Sequence, residues 1–279
     1  MIVRLVGMCE LRGIVVLLGV SFLLLVQDLS SAPDVRGIVE SSTAATQRHW
    51  RERLHYTYLA REESRRRTPD GRVKSEDVSV TRTILVEGVP FDQLVEHNGQ
   101  PPSPEEVRKQ KEEIDDLKRQ TPAERTERLR KEEEDNTSLI GQVPKAFDFE
   151  LLGEDVVGGR PAYVLQATPH PGYRAQGKYG KMFSKVEGKL WVDKEDLGWI
   201  KVDAQVIQPF SMGFFVARVQ RGSHITMEQT RVGGGIWMPE HIEVRAAAKI
   251  FFVKSLVIET ILHYSEYANS QAVATMKAR

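Results

Sequence analysis

The sequence predicts a mainly antiparallel β protein with helices confined to its start and to one charged excursion, an α+β class. Three observations lead there. The stretch 185–207 reads as two strands around a tight turn, because Ile200, Val202, Ala204 and Val206 alternate with Lys201, Asp203 and Gln205. The same alternation returns after residue 147 nearly to the end, punctuated by glycine turns. No long helical pattern separates those later strands, so neighbours in sequence should pair antiparallel.

Arg4 and Arg12 precede the apolar run 14–26, which is followed by Gln27-Asp28-Leu29-Ser30-Ser31-Ala32. This basic, apolar, small-residue order predicts a secretory leader over 1–32, cleaved after Ala32, with an uncleaved inner-membrane anchor as the alternative. Residues 33–279 are then expected to form one periplasmic domain. Cys9 is the only cysteine and lies inside the leader, so the exported chain is expected to work without disulfides or thiolate chemistry. The 39 basic and 39 acidic side chains cancel, which gives no reason to expect a nucleic-acid partner.

Val35, Ile38, Val39, Ala45, His49 and Trp50 form a helical stripe over 33–53. Tyr56, Tyr58 and Ala60 alternate as a strand, and Val78, Val80, Ile84 and Val86 mark a second. Thr68-Pro69-Asp70-Gly71 is the turn between them. A third strand near 93–96 ends at Asn98-Gly99. Ser103-Pro104-Glu105-Glu106 is a capping box that opens a charged helical insertion over about 101–140, broken into two helices at Thr121-Pro122. Its apolar points, Val107, Ile114, Leu117 and Leu129, are so sparse that a solvated or partly disordered excursion is expected. Strands follow at 147–151, 163–167, 222–230, 242–252 and 256–264, with a turn at Gly233-Gly234-Gly235.

Motifs for catalysis and cofactors fail on inspection. The segment 172–178 matches most of a phosphate-binding loop, but Tyr179 stands where a small hydroxyl should hold magnesium, and the segment leads toward a strand. The seven histidines are scattered, and His241 with Glu243 on one strand parity reads as a solvated face. There is no glycine-flanked nucleophile elbow. No cofactor, no metal and no enzymatic activity are expected, and an exported hydrolase is the weakest reading kept.

What stands out is bulk: Phe210, Met212, Phe214 and Phe215 cluster, Trp237 and Met238 open a strand, and Phe251 and Phe252 are adjacent. Core packing accounts for such a set; so does a lined cavity. The Gly188-Lys189-Leu190-Trp191-Val192-Asp193 hairpin, and Trp237-Met238-Pro239 after the glycine turn, resemble the periplasmic lipoprotein-carrier superfamily, the LolA/LolB-like half-barrel proteins. The resemblance runs from about Asp34 to Tyr267 and includes outer-membrane lipoprotein-sorting proteins and sensors of mislocalised lipoproteins. It implies an open, strongly curved β half-barrel whose apolar face is covered by helices and receives acyl chains, with transient membrane contact. The charged excursion is longer than that pattern. On this reading the chain is a monomeric carrier of lipid or acylated lipoprotein. Ile200, Val202, Ile225, Met227, Ile250 and Phe252 would line the cavity, and Phe214, Phe215 and Trp237 would stand near its mouth. The alternative is a sensor or interaction module that uses the same sheet for a periplasmic or inner-membrane protein partner and takes no small ligand.

Overall fold

A computed structural model of the chain describes residues 33–177, 180–212, 217–250 and 254–270. The expected leader with Cys9, together with Phe214, Phe215, Phe251, Phe252, Lys178 and Tyr179, lies outside the described residues.

Helix α1 (Val35–Arg53) leads into strands β1 (Tyr56–Arg67), β2 (Val73–Val86) and β3 (Val89–His97). Helices α2 (Pro104–Arg119) and α3 (Pro122–Ala146) follow, then β4 (Phe147–Val157), β5 (Arg160–Pro169), a turn of helix α4 (Gly180–Phe183), β6 (Val186–Asp193) and β7 (Trp199–Val206). The short pair β8 (Phe210–Met212) and β9 (Ala217–Val219) precedes β10 (His224–Val232), β11 (Ile236–Ile250) and β12 (Lys254–Asn269). All pairings are antiparallel in one twelve-stranded sheet, ordered β3-β2-β1-β12-β11-β10-β7-β6-β5-β4, with β8 and β9 attached beside β11. The sheet is open, with β3 and β4 as its two edges, and the charged excursion carries the chain from one edge to the other.

Every strand read from the sequence is present. β1 runs further than its apolar alternation, through Arg61–Arg67, because it is held on both sides by β12 and β2. Cross-strand ion pairs there, Arg67 Nε to Glu259 at 2.6 Å and Arg65 to Glu76, replace apolar contact as the source of register. The β8–β9 pair is an addition that the bulky apolar cluster had masked.

The loop between β6 and β7 is built on Asp193, whose side chain has no exposure. Its carboxylate accepts from both Arg160 nitrogens at 2.5 and 2.8 Å, and from the backbone N–H of Glu195 and Asp196 at 2.8 and 3.0 Å. Burial alone would push this carboxyl up; Arg160 and the two backbone donors outweigh it and hold the group below the usual carboxylate range. Leu197 closes the loop at φ +60°. Gly198 then sits against the Trp237 indole, whose Nε1 donates to Asp196 at 3.1 Å. A Cβ on Gly198 would lie 1.9 Å from that nitrogen.

The excursion is an ordered part of the fold. Both helices begin with capping boxes, Ser103 with Glu106 and Thr121 with Glu124, each with proline in the first turn. The sparse apolar points suffice because they converge: Leu117 is buried against Val86 and Val89, with Ile114, Leu129, Ile84 and Phe91 around it. His97 clamps the start of α2 to the sheet edge, its Nδ1 2.6 Å from Glu106 and its Nε2 2.8 Å from Asp77. Helix α3 also packs on α1, where Gln47 donates to the Thr137 carbonyl at 2.7 Å and lies so close to Gly141 that a Cβ there would meet it at 2.8 Å.

Two predictions follow from these contacts. Gly198→Ala should cost about 1–3 kcal/mol by forcing Trp237 off its seat, read as a lower urea midpoint; an unchanged midpoint would show that the indole is not clamped. The His97 pKa is raised, first by its hydrogen bond to Asp77 and then by that to Glu106. Its contribution is therefore complete below about pH 6.5, the ordinary histidine value, and is lost as pH rises through the higher folded value. Corrected for intrinsic rates, hydrogen exchange in the first turn of α2 should accelerate across that window in the native chain but not in His97→Gln. The same acceleration in both would remove His97 as the clamp.

Candidate ligand-binding face

Strand register fixes which residues share a face. In one row Leu165, Leu190, Val202, Met227, Ile242 and Leu262 stand side by side on β5, β6, β7, β10, β11 and β12. The adjacent row places Ala204 beside Ile225, Val244 and Thr260, and further along β11 and β12 Ala246 faces Ile258. Helix α1 covers the β4–β7 end of this face. Val39 is buried there with Leu165, Leu190 and Val192, with Val35, Ile38, Phe149, Trp199 and Val202 packed around them. The helix comes close because it presents Ser42, Ala45 and Thr46, all buried, to its neighbours, and Ser42 Oγ receives the Trp199 indole N–H at 3.1 Å. Beyond α1 the apolar rows continue with Met227, Ile242, Val244, Ala246, Ile258 and Leu262 half-buried and Ile225 41% exposed.

The opposite face carries charge. Lys201 pairs with Glu228 at 2.6 Å, His224 with Asp203 at 2.7 Å, and His241 stacks beside His263 across β11 and β12. Such exposed pairs contribute little to stability and keep this side wet. Among the described residues no three histidine, cysteine or carboxylate groups converge as a metal site would need.

The sequence-predicted lining residues divide between these faces. Val202, Ile225 and Met227 stand together on the apolar face. Ile200 does not join them. The pairs Val192–Trp199 and Trp191–Lys201 leave Ile200 as the extra residue of a β-bulge, which reverses the alternation. Ile200 is therefore buried on the other side with Trp191, Ala162 and Trp237, 2% and 3% exposed for Ile200 and Trp237. Trp237 is likewise a core residue and not a mouth residue, flanked by the Arg160 and Arg231 guanidinium groups. Ile250 ends β11 opposite Lys254, its side chain outside the described residues along with Phe214, Phe215 and Phe252.

Several clefts open among the described residues. One of about 480 Å³ lies between α1 and β4, lined by Val35, Val39, Phe147 and Phe149. A second, of about 490 Å³, is a polar trough on the charged face, and a third, of about 430 Å³, borders Arg160, Ile200 and Trp237. The apolar surface of the β10–β12 region is an open face instead of a closed cavity. The sequence reading did not single out Trp50 and Arg53 at the end of α1, which come to lie at the border of this face. Arg53 donates to Gln229, which lies two residues beyond Met227, just past the register shift between β10 and β11 at Glu228.

No family model matches the sequence, and no curated protein matches it. Solved structures do. A DUF1329 family protein from Desulfovibrio piger shares 12% identity over 83% of this chain and 92% of that one, with a TM-score of 0.31. An outer membrane lipoprotein-sorting protein domain from Vibrio parahaemolyticus shares 10% over 81% and 92%, TM-score 0.31. A LolA superfamily protein from Nitrosomonas europaea shares 11% over 82% and 92%, TM-score 0.30. The chain aligns with each of these over most of its length. The architecture itself rests on the strand pairing. Among the described residues no helix is long and apolar enough to cross a membrane.

Proposed function

We propose that the chain is exported by its leader and binds acyl chains of lipid or lipoprotein on the apolar face of β7, β10, β11 and β12. The observation that supports this most is the continuity of that face. The rows that α1 buries at one end run on half-buried through Met227, Ile242, Val244 and Ile258, with Ile225 41% exposed in their midst. A contiguous apolar sheet surface of this kind marks a binding site. A 14- to 16-carbon chain laid on it gains roughly 10 kcal/mol gross at about 0.8 kcal/mol per methylene. Ordering takes several of these, which leaves affinity in the micromolar range.

A competing use has its own support. The edge strands expose Val95 on β3 and Leu152 and Val156 on β4, so a protein partner could add a strand at either edge. Ile225→Asp separates the two. It changes an exposed position, so the variant should fold with an unaltered melting temperature, yet take up a fluorescent fatty acid at least tenfold more weakly than the native chain. Undiminished uptake by the folded variant would remove this face as the site. Failure of the native chain itself to bind would leave the partner-binding use.

A further inference from the structure

Helix α1 ends in two hydrogen-bond donors that the fold leaves without acceptors. The Arg53 Nε and the Trp50 Nε1 are both shut off from water and have no partner among the described residues. They lie one turn apart on the helix, with the guanidinium carbon 5.7 Å from the Trp50 ring. Among the described residues the Arg53 side chain makes one hydrogen bond, 2.6 Å to the neutral Gln229 Oε1, and no carboxylate pairs with it. Tyr267 also faces it, but its hydroxyl already donates to the Pro239 carbonyl. A buried guanidinium without a counter-charge is costly, and so is each buried unpaired N–H. Desolvation is strong enough to lower the Arg53 pKa to about 10. Gln229 itself is held by its Nε2, which donates to the Trp199 carbonyl at 2.7 Å.

The place of these donors gives them a use. Gln229 lies two residues beyond Met227 and four beyond Ile225 on β10, within about 13 Å at about 3.3 Å per residue. Arg53, carried by the helix that packs on this face, stands at one end of the apolar rows. The donors need an oxygen acceptor, and the uncompensated charge selects an anionic one.

We propose that Arg53, with Trp50, binds the anionic head of a single-chain amphiphile, a carboxylate or a phosphate, whose tail lies along Met227 and Ile225. This deepens the acyl-chain reading above and rests on it. Because both donors are covered, the last turn of α1 must shift to admit the head. The preferred cargo is then an acidic amphiphile, and a neutral one of equal length binds by its tail alone.

The test measures hexadecanoate, hexadecyl phosphate and hexadecanol as competitors of a neutral fluorescent probe on the purified chain, at a pH where both acids are ionised. One or both acids should bind about 10- to 100-fold more tightly than the alcohol, the range of a charge-assisted hydrogen bond. Which acid leads tells carboxylate from phosphate. Arg53→Gln should bring the acids to within about threefold of the alcohol while the alcohol's own affinity holds, and Trp50→Phe should reduce the advantage in part. If Arg53→Gln does not fold, the acid-over-alcohol preference of the native chain still decides. Equal binding of acid and alcohol, or a preference that survives in folded Arg53→Gln, overturns the anionic head site and leaves the acyl-chain reading standing. Binding of none of the three removes that reading as well.

Discussion

The ion pair between Arg160 and Asp193 is the contact on which the two sides of the sheet depend. Taking a carboxylate fully out of water costs several kcal/mol, and that cost is offset only when its acceptor sites are filled. Here two guanidinium nitrogens and two backbone N–H groups fill them. The loop so fixed sends one residue to each side. Leu197 packs with the Val39 cluster beneath α1, and Asp196 holds the Trp237 indole in the cluster on the other side. Arg160 also lies over the Trp237 ring, so the same guanidinium that neutralises Asp193 seats the indole. A single buried pair thereby couples β5, the β6–β7 loop and β11.

The bulge at Ile200 does the complementary work of keeping the two sides distinct. Without it, Ile200 would join Val202 on the face under α1 and Trp191 would lose a neighbour. With it, a closed apolar cluster forms on the far side, at the β4–β7 end, next to a surface that is otherwise charged. At that end α1 covers the near side and the Trp237 cluster packs on the other. Helix α1 also reaches β11. Where Ile225, Val244 and Ile258 stand, the far side is ionic and the near side is apolar and partly exposed, and that asymmetry makes the near side the candidate site.

Much of this was legible in the sequence. Alternation located the strands, the Asp193–Gly198 loop showed its turn chemistry, and the capping box at Ser103 and the break at Thr121-Pro122 started their helices where the structure has them. Three things were not legible, each because the cause is long-range. A bulge depends on the pairing of two strands, so the uninterrupted alternation from Ile200 put that residue on the wrong side. The charged excursion looked too poor in apolar residues to pack, and only the approach of Val86 and Val89 to Leu117 makes its few apolar points converge. Arg53 carried no signal among many arginines, since what singles it out is that no carboxylate among the described residues pairs with it in space. Trp50 and Arg53 three residues apart at the end of an amphipathic helix were the one hint available.

The construction of α1 ties these observations together. Small buried residues along its middle let it lie close to β7, while its last turn carries Trp50 and Arg53 and reaches toward β10. Gln229 joins the two regions, because its oxygen accepts from Arg53 and its nitrogen donates to the carbonyl of Trp199, one residue before the bulge. An anionic head placed as proposed takes the Arg53 Nε and the Trp50 Nε1, while the bond to Gln229 uses another nitrogen of the same guanidinium. Head and Gln229 therefore share one side chain without competing for one donor. The shift that admits the head is confined to the last turn of α1, because the helix middle is fixed by Ser42 and Val39 against the β4–β7 core.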